Sequence, residues 1–148
     1  MRLLIAVSLV LGLAVAIGAI ENQSPQEKSS RKESAVLKTV VHINFADSER
    51  QEHGLKNIEN ILREEGITTK IEVVCHGAGI SLLVKDKSSH ADQVAALIKQ
   101  GVRFAACENT MKQKQIASDK LLSGVTTVPS GAVEIIRKQS EGYGYFKP

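Results

Sequence analysis

Residues 37–75 read LKTVVHINFADSERQEHGLKNIENILREEGITTKIEVVC. The opening LKTVVHINFA is rich in β-branched residues and predicts a buried strand. Ser48 and Gln51 have the spacing of a helix capping box, and Leu55, Ile58, Ile61 and Leu62 then lay one apolar stripe along a helix. Gly66 closes that helix, and Ile67–Cys75 (ITTKIEVVC) predicts the second strand. A glycine after a helix can take the left-handed capping conformation, and the β-branched residue behind it enters a strand. The same junction recurs at Gly101-Val102 and Gly124-Val125. Helices alternating with buried strands at this spacing imply an α/β fold: a three-layer sandwich with a mainly parallel sheet, helices on its faces.

The remaining elements follow the same logic. Ile80–Val84 is a short apolar run, strand or helical turn. Ser89 is expected to cap a second helix with Val94, Ala95, Leu97 and Ile98 facing inward, and Val102–Cys107 predicts a third strand. Asn109 or Thr110 opens a helical stretch closed by Gly124. Val125–Val128 predicts a fourth strand, Ser130 starts a last helix reaching about Gln139, and Tyr143–Phe146 makes a final short strand.

A chain of 148 residues allows one domain. With 43% hydrophobic and 24% charged residues it is globular in composition. Tryptophan is absent and aromatics are few, so a stacking platform for single-stranded nucleic acid is not expected. The net charge of +3 includes Arg2, and no long Lys/Arg run exists, so no nucleic-acid partner is expected. Residues 1–20 carry one basic residue followed by LLIAVSLVLGLAVAIGAI, the pattern of a signal peptide. Ala16 and Gly18, or Ile17 and Ala19, could occupy the −3 and −1 positions of a cleavage site; an uncleaved anchor is the alternative, and the only expected membrane contact. Export to the periplasm or beyond follows from either. Residues 21–35 are expected to form a flexible polar linker, and residues 36–148 the α/β domain.

Sites in parallel α/β sheets form beyond the carboxyl ends of the strands. Cys107 ends a strand just before an expected helix, where backbone N–H groups stabilise a thiolate, the form that attacks sulfur. An inert core thiol is the competing reading. His76, in Cys75-His76-Gly77-Ala78-Gly79, could hold an anion or move a proton near neutral pH, or simply make a structural hydrogen bond. The glycines there permit a tight turn and close backbone approach. A Cys75–Cys107 disulfide is conceivable if strands two and three are neighbours. No C-x-x-C or H-x-x-x-H spacing exists, so neither a metal site nor a cofactor is expected. His42 and Asn44 are polar residues on a buried strand, suited to a hydrogen-bond network or a subunit interface. The Tyr143, Tyr145, Phe146 cluster suits a packed tail strand or an oligomer interface.

The segments NIENIL (57–62), VVCHGAG (73–79), GVRFAACENTM (101–111) and VPSGAVEIIRKQSEGYGYFKP (128–148) together resemble the DsrE/DsrF-like (YchN-like) sulfur-relay family, and more closely its small exported, uncharacterised branch. The resemblance covers Leu37–Pro148. It implies a flavodoxin-like α/β sandwich that assembles as a homo-oligomer, a trimer or hexamer. It also implies a sulfur carrier that receives a persulfide on its cysteine from a donor protein and passes it to an acceptor. Cys107 matches the sulfur-bearing position after a central strand; His76 and Gly77 match a loop facing it. Asn109, Thr110 and Ser130 complete the expected anion site. Cys75 stands where that branch more often has a small apolar residue. Three readings stay open: a sulfur carrier, a non-catalytic oligomeric module binding a small ligand, and a thiol–disulfide redox protein using Cys75 and Cys107.

Overall fold

A computed structural model describes residues 36–148. The expected signal peptide or anchor (1–20) and the linker (21–35) lie outside the described residues. The elements are β1 (Val36–Ile43), α1 (Ser48–Arg63), β2 (Thr68–Cys75), a 3-10 segment (Gly77–Leu83), α2 (Ala91–Lys99), β3 (Arg103–Cys107), α3 (Glu108–Gln113), a short 3-10 turn (Ser118–Lys120), β4 (Thr126–Val128), α4 (Gly131–Ser140) and β5 (Gly144–Phe146). All strand pairs of the five-stranded sheet are parallel, in the order β4-β3-β2-β1-β5. The chain thus steps outward from β1 to β4, then returns through α4 to lay β5 on the other side of β1.

Side chains alternate across a strand, and the two faces of this sheet are unequal. One face carries Val41, Ile43, Val73, Cys75, Phe104 and Ala106, packed under Leu55 and Ile58 of α1, Val94 and Leu97 of α2, the 3-10 residues Ile80, Leu82 and Leu83, and Met111 of α3. The opposite face carries Val40, Val74, Ala105 and Val128 under Ile135 of α4, with Tyr143 beside them. The arrangement is the expected three-layer sandwich. Gly66, Gly101 and Gly124 all adopt positive φ, as the recurring junction requires.

Several local expectations are corrected. Asp47, not Ser48, caps α1: its carboxylate accepts from Arg50 N at 2.8 Å. Gln51 is buried instead, its Nε2 donating to Phe45 O and Ser81 Oγ, so it ties the β1–α1 loop to the 3-10 segment. Ser89 does not cap α2; His90 occupies that position without a side-chain bond, and Ala95 is exposed. Of the two readings of Ile80–Val84 the helical turn holds, since Gly77–Leu83 is 3-10 helix. α3 is one short helix, because Gln115 turns to φ 54° soon after it; Leu121 beyond it bridges back to Val84.

Gly79 is where two segments of backbone nearly touch. A Cβ there would sit 2.2 Å from Ile43 O and 2.6 Å from Ile43 C. The loop after β2 therefore rests directly on the end of β1, held also by His76 N donating to Ile43 O at 3.2 Å. Beneath α4 lies a buried carboxyl. Glu72 is 3% exposed; its Oε2 meets Arg103 Nη1 at 3.2 Å and Lys138 Nζ at 3.5 Å. Its Oε1 has no hydrogen-bond partner of its own among the described residues. Burial raises the Glu72 pKa, and a hydrogen bond shared with Glu134 raises it further, against the pull of Arg103 and Lys138. Burial also pushes Glu134 up, but its hydrogen bonds with Arg137 and Glu72 outweigh this and hold it low.

Two predictions result. Gly79→Ala should destabilise the fold by about 3 kcal/mol or more, since neither backbone can retreat; denaturant titration measures it. For Glu72, the folded state holds the proton more tightly than the unfolded chain. Its contribution is full below the ordinary carboxylate range and is lost as pH rises through the raised pKa. Glu134 acts oppositely and lower: its contribution is lost as pH falls through its depressed pKa. A thermal-midpoint series between about pH 4 and 8 should therefore lose its alkaline decline in Glu72→Gln, while the acid limb persists.

Candidate functional site

β3 and β4 send their following helices to opposite faces of the sheet. α3 turns to the large-core side, where Met111 is buried, and α4 turns to the other, where Ile135 is buried. The carboxyl end of β3 lies between these diverging segments, which is where ligand crevices open in parallel sheets. Cys107 is the last residue of β3 and sits at that point. It pairs in register with Val128, so its side chain lies on the α4 face.

Burial pushes the Cys107 thiol up. Four hydrogen bonds oppose it and bring the pKa below the ordinary thiol range: from Gly131 N–H, from the Thr110 hydroxyl and N–H, and from Asn109 N–H. The Thr110 hydroxyl is oriented for this. Its Oγ1 accepts from Gly77 N at 3.0 Å, which leaves its own hydrogen for the sulfur. Asn109 N also points to Pro129 O at 3.3 Å, so its N–H is shared. Cys107 is 5% exposed. The sulfur is thus ringed by donors and largely closed to solvent.

Gly131 is the residue that lets α4 come so close. A Cβ there would lie 3.0 Å from His76 Cβ, 3.2 Å from His76 Cδ2 and 3.3 Å from Cys107 Cβ. The imidazole and the thiol therefore flank the same glycine. His76 Nε2 lies 2.7 Å from His42 Nε2, the rings stacked with centroids 4.7 Å apart, and His42 Nδ1 lies 2.7 Å from Tyr145 Oη. Burial lowers the pKa of both imidazoles; repulsion by Lys147 adds to this at each, and the neighbouring His76 adds to it at His42, which falls to about 4. Both rings are neutral at pH 7.

Cys107, His76, Gly77 and Thr110 thus come together as the sequence suggested. Asn109 contributes its backbone N–H; its side chain is exposed. Ser130 stands at the N-cap of α4 but its hydroxyl makes no capping bond. Its place beside Gly131 is what it brings to the site. Cys75 is not brought in. It is fully buried among the large-core side chains, aligned with Ala106, whereas Cys107 belongs to the opposite face. Burial raises its thiol pKa far above the ordinary value. Both cysteines are free thiols. A redox pair of Cys75 and Cys107 fails on this geometry, because adjacent strand positions one residue apart in register point to opposite faces.

Sequence reasoning missed Tyr145 and Lys147 as site residues, put Gly131 on the right edge without a role, and gave His42 a hydrogen-bond network or a subunit interface, of which the network is found. The alternation of His42 with Val41 and Ile43 was the usable signal; Tyr145 and Lys147 depend on which strands are neighbours. Among the described residues no cluster of His, Cys, Asp and Glu could hold a metal ion, and no helix is long and apolar enough to cross a membrane. A groove of about 470 Å³ lies on the far side of α3, lined by Glu108, Met111, Lys112, Ile116 and Thr127. It does not contain Cys107, and its walls carry no chemistry comparable to the thiol's.

A model of the DsrE/DsrF-like family matches residues 19–148. Among solved structures, the chain is similar to MTH1491, a protein of unknown function from Methanobacterium thermoautotrophicum. The two are 37% identical with a TM-score of 0.71, over 76% of this chain and 99% of that one. It also shares its fold with the ychN protein from E. coli, at 18% identity and a TM-score of 0.60, with the same coverage of both chains. No curated protein matches the sequence.

The ring of donors makes a prediction. The pH profile of Cys107 alkylation should have its midpoint below the ordinary thiol value of about 8.5, with Cys75 unreactive in the folded protein. Thr110→Val, which removes one donor, should move that midpoint up by about one unit. Gly131→Ala should move it up as well, by forcing α4 away from the sulfur.

Proposed function

This chain belongs to the DsrE/DsrF-like family, and from that premise we propose that it is a sulfur carrier that holds sulfane sulfur as a persulfide on Cys107. The observation that carries this reading is the thiol itself, held below its ordinary pKa by donors from Gly131, Thr110 and Asn109 at the end of a central strand. Such a thiol gives up its proton more readily than an ordinary one, which favours the nucleophilic thiolate, and the same donors suit the anionic terminal sulfur of a persulfide.

The transfer balances without an external oxidant or reductant. The Cys107 thiolate attacks the outer sulfur of a donor persulfide, R–S–SH. A bond from Sγ to that sulfur forms as the donor's S–S bond breaks, and the donor thiolate leaves with the bonding pair. One proton passes from the transferred sulfur to the leaving thiolate, giving Cys107–S–S⁻ and RSH. Delivery to an acceptor thiolate is the reverse. Neutral His76 shares the Gly131 contact with Cys107, which supports a role for it in handling that proton. The narrow access to Cys107 suits a donor that presents one terminal sulfur rather than a broad face.

Export is part of this proposal. The apolar run Leu3–Ile20 supports a periplasmic or otherwise exported carrier, exchanging sulfur with donor and acceptor proteins there. Homo-oligomerisation as a trimer or hexamer is also part of it, supported by Val133 and Ile136, which stand 61% and 67% exposed on the outer side of α4. A second reading, a small-ligand-binding module without catalysis, draws on the groove beside α3.

Treatment with polysulfide followed by intact-protein mass spectrometry should add about 32 Da, one sulfur atom, on Cys107 and nowhere else. Cys107→Ser should abolish the adduct, and Cys75→Ala should keep it. No adduct on the wild-type protein would overturn the carrier reading, and full function of Cys107→Ser in cells would favour the binding module.

A further inference from the structure

The alignment of four strands places a diagonal of side chains on the α4 face. Tyr145 of β5 pairs with Val40 of β1. His42 lies two residues beyond Val40 and pairs with Val74 of β2. His76 lies two residues beyond Val74, and Val74 pairs with Ala105 of β3. Continuing that register by two residues sets His76 level with Cys107. The first two steps each advance by one same-face position and the last is level, so the side chains climb from the sheet's edge to the sulfur.

The contacts along this diagonal are hydrogen bonds. Tyr145 Oη and His42 Nδ1 are 2.7 Å apart, as are His42 Nε2 and His76 Nε2. Each contact can hold one proton only, and two neutral imidazoles must share the middle one as donor and acceptor. Two arrangements satisfy both contacts. In the first, Tyr145 donates to His42 Nδ1, His42 Nε2–H donates to His76 Nε2, and the His76 proton sits on Nδ1. In the second, His76 Nε2–H donates to His42 Nε2, His42 Nδ1–H donates to Tyr145, and Tyr145 directs its own hydrogen to water. Passing from one to the other moves a proton between solvent and His76 Nδ1 with no charged ring at either end. Tyr145 is 46% exposed, whereas Cys107 is 5% exposed. Protons thus reach the diagonal at Tyr145 far more readily than at the sulfur.

We propose that Tyr145, His42 and His76 form a tautomer-coupled proton wire between solvent and the sulfur beside Gly131. The inference rests on the sulfur-carrier reading and adds to it the route of the proton that must move when a donor thiolate leaves. His76 gives its Nδ1 proton to that thiolate; His42 replaces it through Nε2, and Tyr145 replaces the His42 proton and is reprotonated by water. The proton released by the new persulfide balances the one drawn from solvent. Tyr145 and His42 are positioning residues here, since they act through His76. The charged and titratable groups facing the two rings are Lys147 beyond β5, Tyr145 and Cys107. Burial keeps both rings neutral, with the positive charge of Lys147 adding to it, and the exchange of tautomers requires neutral rings.

The test uses the full chain with Tyr145→Phe, which removes one exposed hydroxyl, and His42→Gln as a second variant. Cys107 is assayed with glutathione persulfide and, separately, with iodoacetamide, which needs a thiolate but no proton for its leaving halide. The expected result is sulfur uptake slowed by about tenfold or more in both variants, with loss of the solvent isotope effect, while alkylation stays within about twofold of wild type. Nitrogen-15 imidazole spectra should also show the His76 tautomer ratio changing in Tyr145→Phe, two hydrogen bonds away. Wild-type uptake with unchanged variant rates would overturn the wire and leave the carrier intact. An unchanged His76 tautomer ratio would overturn it too. Absence of uptake in the wild type would instead overturn the carrier reading, and the wire's role with it. Equal loss of uptake and alkylation would assign the residues to thiolate stability and overturn the wire.

Discussion

The close approach of α4 to the sheet at Gly131 is the constraint on which the site depends. A Cβ at the helix start would press on His76 and Cys107 at 3.0–3.3 Å, tighter than ordinary contact. With no side chain there, the first N–H of α4 reaches the sulfur and joins the bonds from Thr110 and Asn109. Burial by itself would make Cys107 as inert as Cys75, whose pKa rises with nothing to oppose it. Two thiols in one chain are thus driven in opposite directions by their surroundings alone. The difference is a handful of aimed donors, each worth more at a nearly dry site than in water.

The unequal faces of the sheet explain where such donors can be assembled. The large-core face is filled mainly with apolar side chains from the sheet, α1, α2 and the 3-10 segment, and its buried Gln51 is spent on structural hydrogen bonds to Phe45 O and Ser81 Oγ. The α4 face has a single helix to cover it, so it accommodates Glu72, His42, His76 and Cys107. Its polar groups divide by position along the strands. Glu72, Arg103 and Lys138 anchor the later turns of α4 with charge. The imidazoles and the thiol lie at the carboxyl ends of the strands, near its start. One helix therefore has its far end held by ion pairs and its first N–H committed to the sulfur. Movement of α4 would act on both.

Much of this was legible in the residues. The β-branched runs, the apolar stripe of α1 and the three Gly-[Ile/Val] junctions identify parallel α/β layering, because periodicity and left-handed caps are local properties. The position of Cys107 at a strand end followed from the same reading, as did the turn at Gly77 and Gly79. Where local reading went astray, a longer-range contact had won. Gln51 has capping-box spacing, yet its side chain is drawn inward to Phe45 O and Ser81 Oγ. The stretch before Gly124 is polar enough for a helix, yet the turn at Gln115 and the bridge from Leu121 to Val84 end it early.

The sequence by itself determined the layers, the sense of the sheet and the thiol that ends a central strand, because each is encoded within about a dozen neighbouring residues. Tertiary structure decided which strands are neighbours. The return of β5 to the edge of β1 put Tyr145 against His42, and the register of β1, β2 and β3 carried that contact on to His76 and Cys107. Those residues are separated by as many as 103 positions in the chain. No local pattern can record such a meeting, because it depends on the order in which whole strands are laid side by side.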